Sequence, residues 1–147
     1  MSVGSVPPFK RTVCACVDCR QCCARPGYMV PGDWERIAAF LGMLPDEASH
    51  LFGRGKGAIV AHLRGAAGIR LRRIETIAPL TFDGRCVFLT DNGLCAVHSV
   101  SPFSCAYFDL HMPKEEGARR SAWGLREILK DESYAERWNA LPERTVE

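Results

Sequence analysis

The sequence contains no run of about 18 apolar residues, so it offers no helix able to cross a bilayer. Residues 1–13 carry no apolar stretch ahead of their first charges, which argues against a secretory leader and for the cytoplasm, where thiols stay reduced. His-Glu-x-x-His, Gly-x-Ser-x-Gly and Gly-x-Gly-x-x-Gly are all missing, so no metalloprotease helix, nucleophile elbow or dinucleotide turn is signalled. Gly53-Arg54-Gly55-Lys56-Gly57 lacks the Gly-Lys-Ser/Thr ending of a phosphate loop and has no strand signal before it; it reads as a flexible connector. Residues 53–73 contain no acid, only Arg54, Lys56, Arg64, Arg70, Arg72 and Arg73. Such a strip can meet nucleic acid weakly. Without interleaved aromatic residues for base stacking, a solvated, mobile surface segment is the preferred reading. The net charge of +2 selects no partner.

Cysteine is absent between residues 24 and 85, which sets off the eight that exist. Five fall in ten residues, Cys14, Cys16, Cys19, Cys22 and Cys23, and three follow at Cys86, Cys95 and Cys105. A hydrophobic core has no need of thiols at this density. Chelation does, because closely spaced thiolates converge on an ion with little further loss of chain entropy. In a helix Cys16, Cys19 and Cys23 would share a face, with Cys22 about 100° away. In tandem Cys-x-x-Cys turns, backbone amides would surround each sulfur. In either geometry the vicinal pair Cys22–Cys23 cannot easily face one ion. That adjacency leaves open two metals, a multi-iron cluster, or one ligand beside a spare thiol.

Between the groups the chain shows ordinary elements. Residues 1–13 read as an extended arm, and Pro26-Gly27 as a turn closing the first cysteine group. Trp34, Ile37, Ala38 and Leu41 give the 3.6-residue period of a helix over 32–41 that Gly42 can end. A second short helix begins at Pro45, anchored by Leu51 and Phe52. From Ile69 the texture is β, leading through residues 74–82 to an Asp83-Gly84 hairpin turn, a returning strand over 87–90, and a further turn at Asp91-Asn92-Gly93. Ser101 then reads as an N-cap and Pro102 as the first residue of a helix that holds Cys105 in its opening turn. Residues 114–141 are helical, with Trp123, Ile128, Leu129, Tyr134 and Trp138 as the apolar face. The expected fold is α+β, small and metal-stabilised, mainly helical with a short antiparallel hairpin or meander around the cysteines. It forms one domain over 1–147, with its chelating core at 14–108.

Cys16-x-x-Cys19-x-x-Cys22-Cys23 resembles the signature of the zinc- or iron-chelating family named for its CxxCxxCC motif, the YkgJ-like cysteine-cluster proteins. Residues 33–42 look like the helix that follows the cluster in that family. Cys86-Val87-Phe88-Leu89, Cys95-Ala96-Val97-His98, Pro102 and Cys105 are similar to its second half. The likeness covers roughly residues 16–108 and implies a metal or iron–sulfur site on Cys16, Cys19, Cys22, Cys23, Cys86, Cys95 and Cys105. Ser101 stands where the family commonly has arginine, Ala106-Tyr107-Phe108-Asp109 replaces its aromatic-proline stretch, and Cys14 has no counterpart.

Seven thiolates exceed the four of one tetrahedral zinc, so both zinc and an iron–sulfur cluster, [4Fe–4S] included, stand as cofactors. The absence of Cys-Pro argues against a ferredoxin. The role implied is a chelating module, structural or electron-transferring, with a protein redox partner in the second case. The alternative is a redox or group-transfer enzyme, methyltransferase-like by analogy with a flagellin lysine methylase that carries a similar cluster. A disulfide-stabilised protein fits an even cysteine count but not the vicinal pair or the missing leader. The later trio is one ligand short of a closed site unless His98 joins it, so the two cysteine groups should share one site or two touching ones, with Cys14 dispensable. His50, His62 and His111 stand alone. Metal removal should then unfold the stretch from Cys14 to Cys105.

Overall fold

The computed structural model describes residues 6–12, 27–55, 58–63 and 69–142, with backbone pairing alone for 58–63 and 69–73. The first cysteine group, Pro26 and Arg64 lie outside the described residues. The architecture is α+β, a mixture of helices and small antiparallel strand pairs.

Helix α1, Asp33–Phe40, buries Trp34, Ile37 and Ala38, the stripe its period prescribes, and Gly42 follows it at φ 73°. The next element is a 3-10 helix, Pro45–Leu51, whose Glu47 carboxylate accepts from the Leu44 N–H at 2.8 Å. The stretch read as a connector begins instead with strand β1, Phe52–Arg54, paired antiparallel with β4, Ile77–Pro79. The Gly55 N–H extends that ladder to the Thr76 carbonyl at 2.8 Å. A Cβ on Gly55 would stand 2.6 Å from Thr76 Oγ1, so glycine serves close strand approach here and confers no looseness.

The acid-free strip is likewise structured where it is described. Strand β2, Ala58–Leu63, pairs over its whole length with β3, Ile69–Ile74. The β texture from Ile69 is borne out. Its partner Ala-Ile-Val-Ala-His-Leu was hidden among glycines and basic residues, and the reading of a mobile surface segment is corrected there. The Asp83-Gly84 turn is present: β5, Thr81–Phe82, and β6, Arg85–Cys86, flank Asp83 at φ 52° and Gly84 at φ 74°. Two positive φ values in succession match the right-handed twist of the flanking strands, which Asp-Gly tolerates. The return strand expected at 87–90 shrinks to one bridge, Leu89 with Cys95, across a turn in which the Thr90 N–H donates to the Leu94 carbonyl at 2.8 Å.

The helical C-terminal part is two helices, α3, Lys114–Lys130, and α4, Glu132–Ala140. Asp131 separates them and accepts the Tyr134 N–H at 3.0 Å as an N-cap. Trp123, Ile128, Tyr134 and Trp138 face inward, but Leu129 is 47 % exposed, one residue round the helix from buried Ile128. Met29, Trp34, Ile37, Phe52, Ile77, Phe88, Val97, Leu125, Ile128 and Tyr134 belong to one core cluster drawn from α1 and the residues before it, β1, β4, the segment 88–97 and both C-terminal helices.

Candidate metal centre

Cys105 sits on α2, Phe103–Ala106, a single turn. Pro102, not Ser101, occupies its N-cap, at φ −56° and ψ 154°, because proline's fixed φ suits the extended residue before the helix as well as its first position. The Ser101 hydroxyl instead donates to the His98 carbonyl at 3.0 Å and accepts from Arg11 at 2.9 Å. The Phe103 N–H is taken by the carboxylate of Asp33 at 3.0 Å.

The residues on either side of Cys105 hold the two flanks of the first cysteine group. Upstream of that group, the Thr12 N–H donates to the Ala106 carbonyl at 2.8 Å. Downstream of it, the Tyr28 carbonyl accepts the Ser104 N–H at 3.2 Å. A Cβ on Gly27 would fall 2.0 Å from Ser104 Cβ, so only glycine permits this approach. The arm is therefore docked: Arg11 also donates to the His98 carbonyl, and Arg120 bonds both the Lys10 and Tyr107 carbonyls. Around α2 the rings of Tyr28, Tyr107, Phe108 and Trp123 all pack on Phe103.

Two buried polar side chains lock this arrangement, and sequence reading assigned neither of them that part. Asp33, taken as a helix-dipole residue, is 4 % exposed; its Oδ2 accepts from the Val30 N–H at 2.9 Å as well as from Phe103, and its Oδ1 binds Arg36 at 2.9 Å. Burial raises its carboxyl pKa above the ordinary value, opposed by the Val30 N–H, by Arg36 and by the Phe103 N–H. Tyr134, taken as apolar helix face, donates its hydroxyl to the Met29 carbonyl at 2.7 Å and accepts the Ile77 N–H at 2.8 Å. Burial keeps that phenol in its neutral form. Residues 28–30 are thus pinned to β4, α1, α2 and α4 at once.

Of the predicted ligands, Cys86, Cys95 and Cys105 are described. Cys86 ends β6, and its carbonyl accepts the Leu89 N–H at 2.9 Å, while Leu89 bridges Cys95. Both thiols are half-buried at the rim of the core, alongside buried Phe88 and Val97. Cys105 is in a disulfide bond, and neither Cys86 nor Cys95 is. His98 is exposed. Among the described residues no three His, Cys, Asp or Glu side chains gather as a metal site, so the later trio and His98 do not make one on their own. Half-buried sulfurs on rigid backbone are suitable soft donors for zinc or iron. Among the described residues no helix is long and apolar enough to cross a membrane.

No curated protein and no solved structure matches the chain. Residues 15–134 match the family model CxxCxxCC, described as "Putative zinc- or iron-chelating domain". That match spans every cysteine but Cys14 and most of the chain: the protein belongs to the CxxCxxCC family of zinc- or iron-chelating domains.

Proposed function

We propose that the chain is a metal-chelating module, one folded unit, whose two cysteine groups hold zinc or an iron–sulfur cluster at a shared site. Cys16, Cys19, Cys22 and Cys23 act with Cys86, Cys95 and, once its disulfide is reduced, Cys105. The observation that carries this reading is the bracketing of Cys105. Thr12 bonds the residue after it and Tyr28 the residue before it, so the segment bearing the first group begins and ends beside that sulfur.

Seven thiolates exceed the complement of one tetrahedral ion, which favours a polynuclear centre or two adjacent ones. Bound metal would supply either a cross-link between the segments or an electron-accepting centre. The aromatic packing around Phe103 and the Asp33 and Tyr134 hydrogen bonds hold the thiol-bearing turn in place for either role. A reducing compartment such as the cytoplasm is the setting in which these thiols remain available as ligands.

The test is metal and acid-labile sulfide analysis, with an absorption spectrum, on protein purified anaerobically. A brown sample with iron and sulfide indicates the cluster, and a colourless one with zinc indicates the ion. Protein carrying neither metal after anaerobic purification and attempted reconstitution with each would refute the proposal.

A further inference from the structure

The N-terminal arm is bonded to the fold by a small set of contacts outside the core. Among the described residues, the core cluster takes none from 6–12. Phe9 stands edge-on to Trp123 at a ring separation of 5.8 Å, and the guanidinium groups of Arg119 and Arg120 lie 4.9 and 5.1 Å from its centre. Arg120 donates to the Lys10 carbonyl at 2.9 Å. Arg11 reaches the other way. One of its guanidinium nitrogens donates to both the His98 carbonyl and the Ser101 hydroxyl, and the group lies 5.8 Å from the centre of the Tyr107 ring.

His98 and Ser101 precede α2 and Tyr107 follows it, so this one side chain clips the arm to both ends of the turn that bears Cys105. The next residue, Thr12, bonds the Ala106 carbonyl and is the last described residue before the first cysteine group. The Arg11–His98 and Arg120–Lys10 bonds are both exposed to solvent. Contacts of that kind open more readily than a packed core, so the arm can detach while the rest of the fold stays closed. Holding both flanks of the cysteine group lowers the entropy lost when its sulfurs converge, and freeing one flank restores that loss.

We infer, resting on the shared site proposed above, that Arg11 is a positioning residue of that site: it clasps the arm shut, and opening of the arm sets how fast metal leaves. Arg11 is not a ligand. It acts through Thr12, whose bond to Ala106 it holds in register beside Cys105. By reciprocity, bound metal keeps the arm closed.

The test follows metal transfer from the full chain to a chromophoric chelator under reducing, anaerobic conditions, beside hydrogen exchange at the Thr12 amide. The chain is loaded with zinc, or with iron and sulfide where zinc does not bind. Arg11→Ala should carry the wild-type metal content but release it roughly ten-fold faster, the scale of a lost hydrogen bond from a charged group. Arg11→Lys keeps a cationic donor for His98 and Ser101 and should recover most of the wild-type rate. In the wild type, Thr12 exchange should quicken when the metal is removed, a response that a purely structural Arg11 would not produce. A chain that binds metal but releases it at the wild-type rate in Arg11→Ala would overturn this inference alone. So would a Thr12 amide equally protected with and without metal. A chain that binds neither metal would overturn the shared site and this inference together.

Discussion

Replacing Asp33 by alanine tests whether the segment after the first cysteine group is locked to the turn that carries Cys105. One carboxylate oxygen accepts both the Val30 and Phe103 N–H groups, and the other binds Arg36. Alanine leaves two interior donors without an acceptor, at roughly 1–3 kcal/mol each. A total near 4 kcal/mol would lower the melting temperature by on the order of 10 °C for a domain of this size. Asparagine is the informative control. Its oxygen can stand where Oδ2 stands and keep both backbone bonds, losing only the half-exposed Arg36 pair, worth about 1 kcal/mol. The pH dependence adds a second reading. Burial raises the Asp33 pKa, so the folded state holds that proton more tightly than the unfolded state does. Its contribution is therefore fully present below the unfolded pKa and is lost as pH rises through the folded value. The asparagine side chain does not titrate, so the stability gap between wild type and Asp33→Asn should narrow as pH increases. Urea unfolding of the three proteins, each with the same metal content, measures all of this. Alanine within about 1 kcal/mol of wild type, or asparagine as damaging as alanine, would refute the reasoning.

Tyr134→Phe strips one hydroxyl from between the Met29 carbonyl and the Ile77 N–H and should cost about 2–3 kcal/mol in urea unfolding while the helices persist by circular dichroism. Gly27→Ala drives a Cβ to 2.0 Å from Ser104 Cβ, so it should displace residues 27–28 from α2 and lower metal retention under chelator challenge, in contrast to a tolerated Gly117→Ala in α3, whose Cβ meets only Met112 Sδ at 3.9 Å. Chelator should lower the melting temperature by the linkage of metal to the folded state. The helical dichroism of α3 and α4, which lie beyond Cys105, should survive below that temperature while the stretch from Cys14 to Cys105 unfolds, because Leu125, Ile128 and Tyr134 pack through aliphatic and aromatic contacts. Immediate loss of all helix on metal removal would show that the core does not stand alone.

Some of this was legible in the sequence because the signal was local. The stripe Trp34, Ile37, Ala38 fixed α1, and Asp83-Gly84 fixed a turn, since each depends on its near neighbours alone. Strand β1 was hidden because Gly53 and Gly55 weaken any local strand preference, and pairing with β4 and close contact with Thr76 decide the outcome from afar. The two-helix split at Asp131 was obscured because one apolar series runs through both helices. The cysteine pattern identified the family and the chemistry, but not the frame around it. Asp33 and Tyr134 look like a helix-start acid and a helix-face aromatic, and their partners Phe103 and Ile77 lie 70 and 57 residues away in the chain. No spacing rule records bonds of that kind.

Metal content per chain in Cys105→Ser, beside Cys19→Ser and Cys14→Ser, tests the shared site most directly. The two flanks of the first cysteine group are bonded to the turn around Cys105, so removing that sulfur should deplete the metal as removing Cys19 does. Cys14→Ser should retain it. A Cys105→Ser protein with wild-type fold and full metal would contradict the account and leave the later cysteines as core residues.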